Sequence, residues 1–513
     1  MNSSKKHAEI LAYTRTGFSN QEEGSNVENK PSESSQEIRD LKDIPIEEWD
    51  VEGLLRHPRL LELFMEDLSR RGVVRDRPVK KVLLLTCFSA YINGINLFMK
   101  GPSSIGKTFN TVNVAKYFPP EDVWFLGAMS PTALAHDYGY LEDEEGNVLE
   151  EPSPHMTKEE LEDYMRRLRN AKYIVDMRNR ILIFLEAPHP ETYARLRPIL
   201  SHDVWEVAYK FTDRAGRKLK TRTTYIRGWP AAIFCTTRED LMEDLITRGF
   251  TITPDMSPDK IKEAQRSIAR RYAYKHRIPR SVEKLREVVY RIRESEVDVF
   301  IPYAENIGEI YPSTLPRDMR DLDRFLTLIK VHAFVHQYTR VRVSTEEDGE
   351  FVLADRYDLE SCLEVFSAME ETTRTGLPAN VIEFYEKVML RDDISEFNYS
   401  DLINIFYEVY GYRVSRDTIR RKYLTPLIDA GLVNKMPDPT DKRSYLFEPI
   451  KDSSGKATEM IRKSVVEKFT IDDFRNWASE IGENTVFLSP DREEITIEEA
   501  YRLVWVEPPA YSV

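Results

Sequence analysis

The chain has 513 residues, of which 41% are hydrophobic and 31% charged, and 87 acidic against 73 basic side chains give a formal net charge of −14. That length exceeds what one hydrophobic core supports, so several domains are expected. The acidic balance excludes a protein that coats nucleic acid uniformly, and any such contact has to come from concentrated basic segments.

No apolar stretch approaches the ~20 residues of a membrane-spanning helix, and the opening MNSSKKHAEI lacks the apolar block of a secretory signal. A cytoplasmic protein with no membrane association is expected. Cys87, Cys235 and Cys362 lie far apart within apolar runs, without the pairing that zinc or a disulfide framework requires.

In chain order, residues 1–43 are rich in Ser, Asn, Glu and Gln and read as a disordered leader. Residues 44–77 show apolar positions at helical spacing (Leu54, Leu55, Leu61, Phe64) and form an N-terminal helical segment. From 78 to 256, short apolar runs (INLFM, VWFLGA, ILIFL, AAIFCTT) alternate with longer helical stretches, the pattern of an α/β core built on a parallel sheet. Residues 257–377 read as a helical lid and linker, with helices only between 257 and 345. Residues 378–450 form a separate unit of helices followed by a hairpin, and 451–513 a C-terminal tail with no readable chemistry.

The first run leads into Gly101-Pro102-Ser103-Ser104-Ile105-Gly106-Lys107-Thr108, followed by Phe109, which fits GxxxxGK[ST]. In such a loop the glycines let successive backbone N–H groups wrap phosphate oxygens at a helix N-terminus. Lys107 supplies a point charge to the β and γ phosphates of ATP, and the Thr108 hydroxyl a ligand to Mg²⁺. Glu186 ends the ILIFL run, where a carboxylate can orient the attacking water and contribute to holding the metal. The position before it is Leu185 rather than the aspartate that many such loops pair with, and a strand-end carboxylate can also merely face solvent. Thr236, after the run Ala231 to Cys235, is the preferred γ-phosphate sensor, although strand-terminal threonines also cap helices.

Between these strands two β-rich arms flank a turn. From Lys210 to Arg227 they carry seven cations (Lys210, Arg214, Arg217, Lys218, Lys220, Arg222, Arg227) and one acid, a local charge of +6 in an acidic protein. Phosphate-backbone contact explains the contrast; a solvated hairpin is the plainer alternative.

The order of loop, Glu186, basic hairpin, sensor strand and helical region resembles the AAA+ ATPases, specifically the branch of superfamily-three and minichromosome-maintenance helicases, and looks like ATPases found beside primases in prokaryotic mobile elements. The resemblance covers roughly residues 78 to 345. It implies a homo-oligomeric, hexameric ring that hydrolyses ATP between subunits and grips DNA with the hairpin, serving DNA replication with a primase or another replication protein as partner. It further implies that Arg248 is the finger reaching a neighbour's γ-phosphate and Arg317 a second sensor acting in cis. The segment Tyr399 to Phe447 resembles a winged helix-turn-helix. That likeness puts Arg416, Arg420, Arg421 and Lys422 against DNA from the second helix, and Lys442 and Arg443 from the wing. The expected fold is thus an α/β P-loop AAA+ core, a helical lid and an α+β winged-helix domain. The expected activity is ATP-dependent DNA translocation or unwinding. A switch that loads or remodels a partner on DNA, or an ATP-controlled DNA-binding regulator, is the competing reading.

Overall fold

The computed structural model describes residues 49–513 apart from 128–138, 187, 189, 216–217, 237–247, 275–280, 314–317, 346–348, 370–378, 392–393, 430–431, 439–443, 450–456, 483 and 512–513. Its centre is a five-stranded, wholly parallel sheet of β1 (Asn96–Met99), β2 (Val123–Leu126), β6 (Ile181–Phe184), β9 (Ala231–Cys235) and β10 (Phe250–Ile252), in the order β10-β1-β9-β6-β2. Every side chain of β1, β6, β9 and β10 is buried, which is why these strands read as continuous apolar runs rather than alternating ones. On one face lie the helix Arg77–Ser89, buried continuously from Val79 onward, and the helix Lys107–Ala115. The other face presents Phe98, Leu182, Phe184, Ala232 and Phe234 to Tyr193, Leu196 and Ile199 of the helix Pro190–Leu200.

Where the sequence suggested one helix between β2 and β6, the structure has more. The strands β3 (Tyr140–Glu142), β4 (Val148–Leu149) and β5 (Lys172–Asp176) accompany the helix Lys158–Asn170, and they join the hairpin β7 (Glu206–Ala215) and β8 (Lys218–Arg227) in a second sheet, β4-β3-β5-β8-β7. These strands are too short and polar to show a period-2 signal. The hairpin is therefore rooted: β5 pairs with β8 only over Thr224–Arg227, so the arm from Lys218 to Thr223, paired with β7 alone, extends roughly 20 Å past β5 at a strand's rise per residue.

The lid departs from an all-helical reading as well. The strands β11 (Asp298–Phe300), β12 (Arg342–Thr345) and β13 (Gly349–Leu353) lie among its helices. β12 pairs on its far edge with β16 (Val486–Leu488), which pairs with β17 (Glu494–Ile495), so the stretch read as a tail completes the sheet begun by β11, β13 and β12. Trp505, in this C-terminal stretch, packs 5.1 Å from Tyr303 and 4.7 Å from Phe469, and Arg59 donates to the Ala510 carbonyl at 2.8 and 3.0 Å. Beside this sheet, Arg340 (1% exposed) donates to Asp358 at 2.6 and 2.8 Å, and His332 Nδ1 lies 2.6 Å from the same carboxylate. Burial opposes ionisation there, but Arg340 and His332 hold the Asp358 carboxyl well below its ordinary range.

The helix–helix–hairpin unit is present with its own core. The helix Tyr399–Tyr410 is capped by Asn398 and ended by Gly411 at φ 75°. Ser415 caps the next helical stretches Arg416–Thr418, Ile419–Leu424 and Thr425–Asp429, and β14 (Val433–Pro437) pairs with β15 (Tyr445–Pro449).

Because Trp505 is 4% exposed among core aromatics, Trp505→Ala should destabilise the protein by about 3–5 kcal/mol, read as a lowered urea midpoint. A midpoint unchanged within error would mean that the C-terminal segment is not part of the folded unit.

Candidate active site

In a parallel sheet the crevice that binds ligands lies beyond the carboxyl ends of the strands. Here the ends of β1, β9 and β6 meet. The amide of Thr236 donates to the Met99 carbonyl at 3.0 Å, and that of Leu185 to Leu126 at 3.0 Å. A cavity of about 670 Å³ is lined by Ser103, Ser104, Gly106, Lys107, Thr108 and Phe109 of the loop, by Leu185 and Glu186 after β6, and by Cys235 and Thr236 at the end of β9. Residues as much as 133 positions apart are thus brought to one place, among them eight of the predicted site residues: Ser103, Ser104, Gly106, Lys107, Thr108 and Phe109 of the loop, with Glu186 and Thr236.

The loop has the shape of a phosphate cradle. Gly101 and Gly106 take φ of 131° and 97°, and a Cβ on Gly101 would stand 2.6 Å from Ile105 Cδ1, so that position requires glycine. No side chain caps the helix that starts at Lys107, which leaves its leading N–H groups directed at the cradle, where an anion is favoured. Lys107 is 7% exposed, and its Nζ donates to the carbonyls of Gly101 at 2.7 Å and Pro102 at 2.6 Å, within the loop's concavity. Burial lowers its pKa from the ordinary lysine value. Burial also raises the Cys235 thiol, against hydrogen bonding with Thr111 and Thr108, so Cys235 is a neutral neighbour of the loop rather than a nucleophile. Glu186 is exposed at the cavity and Thr236 is buried in its wall. With Thr108 and Glu186 in one cavity, Mg²⁺ has two oxygen donors available, while Leu185 offers none.

A second cavity, of about 730 Å³, shares Ser103, Ser104, Gly106 and Phe109 with the first and opens on the other side of the loop. Its walls are Gly72 and Val74, Ile105 and Asn110, and one face of the helix Pro258–Ala273 with Ile261, Ala264 and Ile268. A buried carboxylate fastens this corner. Asp76, left-handed at φ 49°, accepts from Asn110 Nδ2 at 3.0 Å and the Asp255 amide at 2.7 Å, and pairs with Lys260. Lys260 in turn donates to the Ile105 carbonyl at 3.3 Å. Neither the second cavity nor the Asp76–Lys260 tie was foreseen from sequence; the residues follow no spacing motif.

Among the other predicted residues that are described, Arg248 is not brought to the loop. The Arg248 carbonyl accepts from Asn96 Nδ2 at 2.9 Å, which puts its backbone at the amino end of β1, about 10 Å of strand away from the loop. Arg317 lies outside the described residues. So do Arg217, Lys442 and Arg443, and the side chains of Arg214, Lys218, Lys220 and Arg222. Arg227, counted in the hairpin's positive charge, is instead clamped by Glu142 at 2.6 Å and Glu206 at 2.7 Å in the second sheet. Arg416, Arg420 and Arg421 are exposed on their helix. Arg420 and Arg421 pair with Asp417 at 2.7 and 3.1 Å, and Arg416 lies 4.3 Å from the Tyr399 ring centroid.

No family model matches the chain, nor does any curated protein. Among solved structures it is similar to a candidate ATPase from Cytophaga hutchinsonii ATCC 33406, at 11% identity and a TM-score of 0.33, over 65% of this chain and 94% of that one. At that identity the functional reading rests on the site's own geometry.

Gly101→Ala places a methyl against Ile105 in a backbone region costly for any residue with a Cβ. It should weaken the binding of a fluorescent ATP analogue at least tenfold and lower the unfolding midpoint by the equivalent of about 1–3 kcal/mol, with the protein still folded. Wild-type affinity in this variant would mean that the cradle is not where phosphate is held.

Proposed function

We propose that the chain is a Mg²⁺-dependent ATPase that moves along or unwinds DNA. The observation that carries the ATPase part is the single cavity joining Lys107, Thr108, Glu186 and Thr236. In this reading the loop's backbone N–H groups and Lys107 hold the triphosphate, while the base lies in the apolar second cavity beside Phe109. Thr108 and Glu186 would hold Mg²⁺, which when bound neutralises phosphate charge. Glu186 accepts a hydrogen bond from water and draws off its proton as the water oxygen bonds to the γ phosphorus and the bridging P–O bond breaks. Thr236 fixes the position of that water and the γ-phosphate. Because Arg248 stands at the far end of the sheet from its own loop, it is suited to serve a neighbour's site, as ring assembly would require. Arg317 is assigned the role of a second sensor in cis.

The DNA part rests on charge and reach. The rooted hairpin carries Arg214, Lys218, Lys220 and Arg222 on the part of its arms that runs past β5, with Arg217 between them in sequence. The separate helix–hairpin unit is proposed as a winged helix that docks through Arg416, Arg420, Arg421, Lys442 and Arg443. The independent core of that unit also favours a second reading, in which it anchors the protein on DNA while ATP drives the loading of a partner or controls assembly. Replication of a prokaryotic genome or mobile element, with a primase as partner, is the setting we infer.

The two readings part at the hairpin. Under the translocase reading, replacing Arg217, Lys218 and Lys220 together with glutamine should lower the salt dependence of DNA binding by about one unit of log slope for each phosphate that is no longer neutralised. ATP-driven strand displacement should fall with it, while DNA-independent hydrolysis persists. Normal displacement with an unaltered slope would favour the loader or regulator.

A further inference from the structure

The helix Pro258–Ala273 has two working faces. One closes the second cavity and is fastened at its first turn by Lys260, its only buried residue. The opposite face carries Lys262, Arg266 and Arg270 at four-residue steps, a rise of about 6 Å each. All three are exposed, and none has an ion-pair partner among the described residues. The helix's own acids do not answer them: Asp259 and Glu263 are engaged by Arg75 at 3.5 and 2.9 Å. Like charges at this spacing repel along a helix, and in a chain with 87 acidic side chains the stripe is left without a counter-charge.

At the C-terminal end of the helix, Tyr272, four residues on from Ile268 and so on the cavity side, is 89% exposed, and Tyr274, the C-cap four residues after Arg270, is 73% exposed; neither makes a ring contact among the described residues. A ring that bulky normally covers apolar surface or is covered by it. Cations in a row followed by two open aromatic faces match a ligand with a repeating negative charge and planar, stackable groups. An anionic lipid surface would call for apolar side chains between the cations, but here the helix's apolar residues Ile261, Ala264 and Ile268 line the cavity. An acidic peptide has charge but no bases to stack.

We propose that this face and the C-terminal end of the helix together form a platform for single-stranded nucleic acid, with Lys262, Arg266 and Arg270 on successive phosphates and the strand turning over the helix end, where Tyr272 and Tyr274 stack on bases. The proposal rests on the reading that the protein works on DNA, and it names a surface separate from the hairpin and from the helix–hairpin unit.

The test uses the full chain and fluorescence anisotropy with labelled oligodeoxythymidylate and with a duplex of equal length, across a salt series. Lys262→Gln, Arg266→Gln and Arg270→Gln combined should reduce the log–log salt slope for the single strand by about 2, three phosphates at ~0.7 each. Tyr272→Ala with Tyr274→Ala should weaken single-strand binding at least tenfold and duplex binding less than twofold, and the corresponding Phe pair should bind as wild type. An unchanged slope in the first variant, or equal losses on single strand and duplex in the second, overturns the platform. So does a loss of binding to phosphatidylserine vesicles in both variants while oligonucleotide binding stays intact. If wild-type protein binds neither oligonucleotide at low salt, the DNA reading itself fails; if it binds and the variants match it, only the platform does.

Discussion

Three phenylalanine rings stacked across the central strands decide where the site falls. Phe98, Phe234 and Phe184 lie side by side on β1, β9 and β6, with centroids 4.9 and 4.5 Å apart and planes within 10°. They are direct register partners, Phe98 with Phe234 and Phe234 with Phe184. A slip of one residue would turn these rings to the opposite face, where the helices Arg77–Ser89 and Lys107–Ala115 already fill the space, and would break the stack. With that register held, Met99, Cys235 and Leu185 end level, and the loop, Thr236 and Glu186 emerge along one edge. The chemistry needs these groups in a single cavity, and the ladder beneath it is what brings them there.

Around the loop a second constraint operates through buried polar groups. Asp76, Asn110, Lys260 and the Ile105 carbonyl form a connected set in which every charge has a partner, and removing one member would leave the others buried and uncompensated. The set ties the segment before the core, the loop helix and the helix Pro258–Ala273 to one another. Two cavities result, one on each side of the loop, polar where Lys107 and Glu186 stand and apolar where Ile261 and Ile268 stand.

How much of this could be read in advance depended on whether the signal was local. The loop is eight consecutive residues whose glycines have a backbone reason to be there, and Glu186 and Thr236 follow apolar runs that announce buried strands; the structure brings all of them together. What stayed hidden depends on distant pairing. Tyr140–Glu142 and Glu494–Ile495 are strands of three and two residues, too short for periodicity to register, and β16 is a strand only because β12 offers it an edge. The positive hairpin was visible as composition, but composition could not reveal that Arg227 is held by Glu142 and Glu206. The second cavity draws on positions from Gly72 to Arg271, and no spacing rule links those.

In the proposed reaction Glu186 activates water for phosphate already held by the loop. This step is tested most directly by measuring ATP binding and turnover on the same preparation of Glu186→Gln. Exchanging the carboxylate for an isosteric amide removes the proton acceptor and leaves the cradle and Lys107 in place. Affinity for a fluorescent ATP analogue should stay at the wild-type level while hydrolysis falls by roughly 10²-fold or more, the scale of a lost general base. Turnover within a few-fold of wild type would contradict it and place the catalytic base elsewhere.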